Sequence, residues 1–368
     1  MAEALKHFFD AERVRIIGAM LRGADPTFPL DTFVAEATDG LEPKELMGRA
    51  QHIAAAMARA LPTDRLRALE IVVRTLGERA ELPGAGTGGM SSFVYLPHTM
   101  FVAAHGIDHP DAALDAQHAI TRRFSCEFSI RAFLERWPEL TLARLALWVS
   151  DPDPHVRRLV SEGTRPRLPW ASRLRALQAD PSPIFPLLEA LRDDPSEYVR
   201  RSVANNLNDI GKDHPAVLLA VCGRWLVDAP PLRVALVRHA LRDRVKKADK
   251  AAIALLGAGG GTIDVRGELP ATGALGGTLP VVVHVRNPAA TATRAVVDLA
   301  VVFPGSSAAG RRKVFKLRTV DLAPGESVVL RKSISLRDHT TRRAIAGPHS
   351  LAAQIDGVET HLGVVEVA

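Results

Sequence analysis

Cysteine is almost absent from this chain, with Cys126 and Cys222 its only two. Two thiols cannot build a disulfide framework, and neither sits in a CxxC pair suited to zinc or redox work. The 13 histidines are scattered, with no HxH, HExxH or Cys/His grouping, so the common metal-ligand patterns are missing too. No stretch reaches the roughly 18 apolar residues of a membrane span. The opening MAEALKHFFDAERVR carries Glu3 and Asp10 and no long apolar run, which argues against a secretory signal. Gly211-Lys212 is followed by Asp213 rather than Ser or Thr, so there is no phosphate-binding P-loop, and no GxSxG nucleophile elbow occurs. These absences describe a chain without metal or cofactor, expected as a monomer in a reducing cytoplasm with no membrane partner.

What is present is a repeat. Asp151-Pro-Asp-Pro-His-Val-Arg-Arg158 and Asp194-Pro-Ser-Glu-Tyr-Val-Arg-Arg201 recur at 43 residues. A period of about 40 residues belongs to paired-helix repeats such as HEAT or armadillo, which bury their apolar faces only by stacking into a solenoid. Asp-Pro suits a helix start, because Pro lacks an N–H that the first turn would orphan and Asp complements the positive helix end. Val156 with Val160, and Val199 with Val203, share one buried face at a spacing of four, and the paired arginines are expected to project toward the rim.

Charge sharpens this picture. Residues 1 to 150 carry 16 basic and 19 acidic groups, residues 151 to 250 carry 18 and 13, and residues 262 to 368 carry 13 and 9. The basic excess therefore lies in the last two thirds, where Lys and Arg suit a polyanion such as nucleic acid.

Helical apolar spacing runs through the first 250 residues, including Ala112 to Arg123, Leu140 to Val149, Trp170 to Leu177, Val199 to Asn206 and Leu232 to Val245. The Gly84, Gly86 and Gly89 spacing imitates a dinucleotide fingerprint, but no hydrophobic strand precedes it and Pro97 follows closely. Gly257-Ala-Gly-Gly-Gly261 reads as a linker. Beyond it the pattern alternates, in Thr278 to Arg286, Arg294 to Phe303, Arg312 to Leu317, Ser327 to Leu336, Ser350 to Ile355 and His361 to Val367. The fold expected is an all-α HEAT-like solenoid over residues 1–256, then an all-β immunoglobulin-like sandwich over 262–368. The loop Gly310-Arg311-Arg312-Lys313 would give the sandwich a basic tip.

The least generic segment is Ser161-Glu-Gly-Thr-Arg-Pro-Arg-Leu-Pro-Trp170, where Gly163, Pro166 and Pro169 predict a shaped connection rather than a helix. Corresponding ends of successive repeats line one surface of a solenoid, so Glu127, Glu162 and Asp209 are placed to converge. Each also has a plainer role: Glu127 pairing with Arg123, Glu162 with Arg165, Asp209 capping a following helix, Trp170 in the core.

Arg123-Phe-Ser-Cys-Glu127-Phe, the 161–170 segment and Val199-Arg-Arg-Ser-Val-Ala-Asn-Asn-Leu-Asn-Asp209 closely resemble the AlkC family of bacterial DNA alkylation repair glycosylases. The resemblance covers residues 1 to about 250, and the sandwich resembles the extra domain of one branch. It implies excision of cationic bases, of the 3-methyladenine and 3-methylcytosine type, from duplex DNA without flipping them. It also implies that Glu127, Glu162 and Asp209 face the lesion beside Trp170, with Asp209 first choice to orient the water, and that Arg158 and Arg165 hold the backbone. Arg167, Arg201, Arg311, Arg312 and Lys313 complete the expected DNA contacts, and association with the nucleoid would follow. A non-catalytic HEAT scaffold and a protein that binds alkylated DNA without cleaving it are the rival readings.

Overall fold

A computed structural model describes residues 5–77, 91–305, 310–338 and 343–368. The glycine-rich stretch Pro83 to Gly89 lies outside these residues. The chain forms two compact units, Met1–Asp213 and His214–Ala368.

The first unit is helical. Helices α1 (Ala11–Ala24), α2 (Leu30–Thr38), α3 (Leu46–Ala60) and α4 (Arg65–Arg74) are followed by α5 (Leu96–His105), α6 (Pro110–Thr121), α7 (Ile130–Arg136) and α8 (Pro138–Trp148). Then come α9 (Pro154–Gly163), α10 (Arg175–Ala179), α11 (Phe185–Leu191) and α12 (Glu197–Asp213). Helices α9 and α12 carry the two repeat copies and pack on each other. Val156, Val160, Val199 and Val203 are all fully buried, as their spacing predicts.

The repeat builds its turns differently from expectation. Helix α9 starts at the second Asp-Pro, with Pro154 at its first position and the Asp153 carboxylate accepting from His155 N at 2.8 Å. In the other copy Asp194-Pro195 stands ahead of the helix, and Asp194 accepts from Ser196 N at 2.8 Å. The first arginine of each pair does not reach the rim. Arg157 Nη1 donates to Asp151 O at 2.8 Å and Pro152 O at 3.1 Å, while Arg200 Nη1 donates to Asp194 O and to Pro195 O at 2.9 Å. Arg157 also clasps Asp194 through Nε at 2.6 Å and Nη2 at 3.0 Å, which ties one copy to the next. Orphan turn carbonyls attract the first guanidinium inward, and only Arg201 stands exposed.

The expected helix Trp170 to Leu177 is a second correction. Trp170 adopts φ 65° and is 71% exposed, and the helix begins only at Arg175. Pro166 and Pro169 cannot donate, and the left-handed Trp170 breaks any helical path.

The second unit begins with helices α13 (Pro215–Leu226), α14 (Pro231–Ala240), α15 (Arg242–Lys246) and α16 (Lys250–Leu255). Strands β1 (Asp264–Glu268), β2 (Thr272–Gly273), β3 (Thr278–Arg286), β4 (Thr293–Phe303), β5 (Arg311–Leu322), β6 (Ser327–Ser335), β7 (Gly347–Ile355) and β8 (Val358–Val367) follow. They make one sheet ordered β1-β3-β6 and a second ordered β2-β8-β7-β4-β5. Alternation explains the packing: Leu279, Val281, Val283 and Val285 of β3 meet Val297, Leu299 and Val301 of β4 in the core between the sheets. The Gly257–Gly261 stretch separates the last helix from the first strand, with Gly257 and Gly259 at φ 72° and 90°. The basic loop tip proves to be the start of edge strand β5, where Arg311, Arg312 and Lys313 pair with Phe303, Val302 and Val301. There Arg312 is held by Glu359 and donates to Gln354 Oε1 at 2.7 Å, and Lys313 lies 5.1 Å from the Phe315 ring.

Candidate active site

Helix α9 places Arg158 and Glu162 four residues apart on one face, and α12 places Ser202, Asn206 and Asp209 on the face opposite. The approach of α9 to α7 depends on Gly163, where an added Cβ would meet Ile130 Cγ2 at 2.4 Å. Close packing at this point brings the α9 end, the following connection and α12 into one cluster.

The cluster is a chain of alternating charges. Arg158 pairs with Glu127, which also accepts from Ser125 Oγ at 2.9 Å, and Arg158 Nη2 lies 3.5 Å from Glu162. Glu162 accepts from Arg165 Nη1 at 2.6 Å and from Ser202 Oγ at 2.6 Å. Arg165 Nε continues to Asp209 at 2.8 Å, and Lys212 Nζ completes the chain on the other Asp209 oxygen at 2.8 Å. Burial works against the charge of Arg158, but Glu127 and Glu162 outweigh it and raise its pKa. Arg165 is raised in the same way, its burial outweighed by Glu162 and Asp209. Both guanidiniums are thus permanently charged, and the three carboxylates have cationic partners throughout.

Beside this chain lies a cavity of about 380 Å³, walled by Phe93, Leu96, Phe124, Phe128 and Leu168 and bordered by Glu127, Arg158, Glu162, Arg165 and Trp170. One side is apolar and the other charged, with an indole at the border. Trp170 holds its exposed position in a backbone conformation that costs a non-glycine residue about 1 to 2 kcal/mol.

Glu127, Glu162, Arg158, Arg165 and Trp170 therefore meet around one space. Asp209 belongs to the same network but lies behind Arg165, fully buried and off the cavity wall. Glu162 takes the Arg165 partner, while Glu127 turns to Arg158 rather than Arg123, whose guanidinium caps Gly77 O at 2.7 Å. Asp209 sits within α12 rather than ahead of a helix. Arg167 pairs with Asp213, its Nε 2.8 Å from a carboxylate oxygen. Arg201 is exposed, as are Arg173 and Arg175 in and beside the Trp170 connection.

Four participants escaped the sequence reading. Lys212 and Ser202 follow from helical spacing once Asp209 is placed on α12. Tyr198, whose ring lies 5.0 Å from the Arg158 guanidinium, is the residue before the repeat's buried Val199. Arg131, 2% exposed in α7, binds the connection from beneath and carries no local signature. Cys126 and Cys222 are buried, and burial pushes both thiols up to about 12, far from a nucleophilic state. Among the described residues no three His, Cys, Asp or Glu side chains group as a metal site, and no helix is long and apolar enough to cross a membrane.

Comparison with known proteins places this geometry. Residues 268–368 match the family described as the C-terminal Ig-like domain of the uncharacterised protein YhaZ. The whole chain is 32% identical to YhaZ of Bacillus subtilis (strain 168) over 360 residues, 96% of each protein. Among solved structures it is similar to Pseudomonas fluorescens AlkC, an alkylpurine DNA glycosylase bound to DNA containing an abasic site analogue, with a TM-score of 0.89 and 32% identity over 99% of both chains. The chain belongs to the AlkC family, in the form that joins a HEAT-like helical unit to a C-terminal Ig-like domain.

Proposed function

We propose that this protein is a DNA N-glycosylase that excises cationic alkylated bases, of the 3-methyladenine and 3-methylcytosine type, from duplex DNA. The observation that carries the reading is the meeting of the Glu127 and Glu162 carboxylates with the exposed Trp170 indole at one half-apolar cavity.

The chemistry needs little more. An alkylated cationic base is a good leaving group, because the glycosidic electron pair moves onto the base and cancels its charge. The sugar left behind is an oxocarbenium-like cation, and carboxylates fixed nearby oppose that charge where it develops. An indole beside a cationic base adds about 0.5 to 2 kcal/mol, which a neutral base does not gain. Water then bonds to C1′ and gives up a proton. Asp209 is our assignment for orienting that water: Lys212, the more exposed of its two partners, can pass to a DNA phosphate and release one Asp209 oxygen. Arg201 and the exposed arginines near Trp170 supply further phosphate contacts. The family resemblance implies that the base stays stacked, which removes the extrusion that glycosylases otherwise need.

Binding of alkylated DNA without cleavage is the alternative, and the full pairing of all three carboxylates is what favours it. Release of free methylated base from alkylated duplex DNA decides. The native chain should release 3-methyladenine, and Glu162→Gln should release it at least tenfold more slowly. Intact DNA after prolonged incubation with the native chain would sink the enzymatic reading.

A further inference from the structure

We propose that Arg131 is a positioning residue for base excision, a staple that keeps the connection bearing Arg165 and Trp170 in its working shape; this rests on the glycosylase reading above. Arg131 is 2% exposed, and among the described residues its guanidinium donates to backbone carbonyls at the end of α9 and in that connection. Nη1 reaches Gly163 O at 3.2 Å and Arg165 O at 2.7 Å, while Nε at 3.1 Å and Nη2 both reach Ser172 O. Gly163 and Arg165 precede Trp170 and Ser172 follows it. One planar group therefore joins the two limbs of the loop across its most strained residue.

That strain needs a restraint. Trp170 at φ 65° is in the left-handed region, which a bulky side chain occupies only where its surroundings over-determine it. The indole itself is 71% exposed and has little packing to hold it. The restraint must come through the backbone, and the Arg131 bonds are placed to provide it. A cation is an expensive choice for filling space here: burial pushes Arg131 down to about 10, and the neighbouring Arg165 adds to the cost, against help from Glu135, Asp209 and Glu127. What it offers in return is a rigid fork of donors, still protonated at neutral pH, that spans three carbonyls. A lysine ammonium is a single point and cannot.

The test uses the full-length chain and the variants Arg131→Lys, Trp170→Phe and their combination. Single-turnover release of 3-methyladenine should fall tenfold or more in Arg131→Lys, since displacement by about 1 Å can cost up to about a hundredfold. Affinity for duplex DNA with an abasic site analogue should change by no more than about twofold, which separates positioning from loss of DNA binding. If Arg131 acts by placing Trp170, the double variant is no slower than Trp170→Phe alone; losses that multiply overturn the proposal. Acrylamide quenching, taken as native minus Trp170→Phe, should show Trp170 in an altered environment in Arg131→Lys, and unchanged quenching overturns the proposal. This last measurement stands even if the native chain releases no base, a result that would refute the glycosylase reading instead. Should Arg131→Lys not fold, Ser172→Gly loosens one limb at an exposed position; native release and native quenching in that variant would overturn the staple.

Discussion

Asp209→Asn keeps the shape of a fully buried side chain and removes its charge. In the native chain its two oxygens accept from Arg165 Nε and Lys212 Nζ, each at 2.8 Å. The amide has one oxygen to offer and must turn its NH2 toward the other cation. Arg165 is 9% exposed and also bound to Glu162, whereas Lys212 is 37% exposed, so the oxygen stays with Arg165 and Lys212 swings out to water. The Lys212 contribution is small, because a half-exposed pair is worth about 0.2 to 1 kcal/mol. The Arg165 bond weakens from charged to neutral acceptor, a further loss of about 1 kcal/mol. The total of about 1 to 2 kcal/mol lowers Tm by roughly 2 to 8 °C for a unit of this size. Excision should fall much further, by about 10² to 10⁴, if Asp209 takes the proton of the attacking water. Melting followed by circular dichroism and single-turnover release of 3-methyladenine measure the two effects separately. A variant that melts a few degrees early yet releases base within threefold of the native rate would remove Asp209 from the chemistry and leave it a structural partner of Arg165.

Two other perturbations follow from packing and burial. Gly163→Ala puts a methyl 2.4 Å from Ile130 Cγ2, an overlap that costs about 1 to 3 kcal/mol and forces the end of α9 away from α7, so both Tm and release rate should drop; native values for both would mean that the contact relaxes freely. In the second unit, burial raises the Asp298 carboxyl to about 6, partly countered by Lys316 and Lys246. A carboxyl whose folded pKa is raised binds its proton more tightly in the folded state, so stability contributed by this group is present below the ordinary carboxylate range and is lost as pH rises toward 6. Asp298→Asn should flatten urea stability between about pH 4 and 6 and add about 1 to 3 kcal/mol above it, and an unchanged slope would refute this assignment.

Much of the architecture was legible because it rests on period. Alternation marks β3 from Thr278 to Arg286 at both ends, and spacing by four marks the buried valines of α9 and α12. Very short strands were not legible: β2 is two residues paired in parallel with β8, a pairing made by distant partners rather than by its own composition. Short polar links also misled. Trp170 reads as the start of an apolar helical face, yet flanking prolines and a left-handed backbone turn it outward. At the site, convergence of Glu127, Glu162 and Asp209 follows from the repeat, but their partners do not, since a side chain chooses among several cations only once depth is set.

Depth is also what distinguishes the two arginines of each repeat pair. Both are charged and adjacent, and the repeat pattern by itself does not say which of them turns inward. Successive helical positions point about 100° apart, so the first follows the turn and the second follows the neighbouring helix. Arg157 and Arg200 close the Asp-Pro turns, work that every copy needs and that says nothing about DNA. Arg158 instead meets Glu127 and Glu162 beneath the Tyr198 ring, while Arg201 is exposed. One position of the pair thus maintains the solenoid in both copies, which leaves the other free to differ: in one copy it joins the carboxylates at the cavity, and in the other it faces solvent, where a phosphate can reach it.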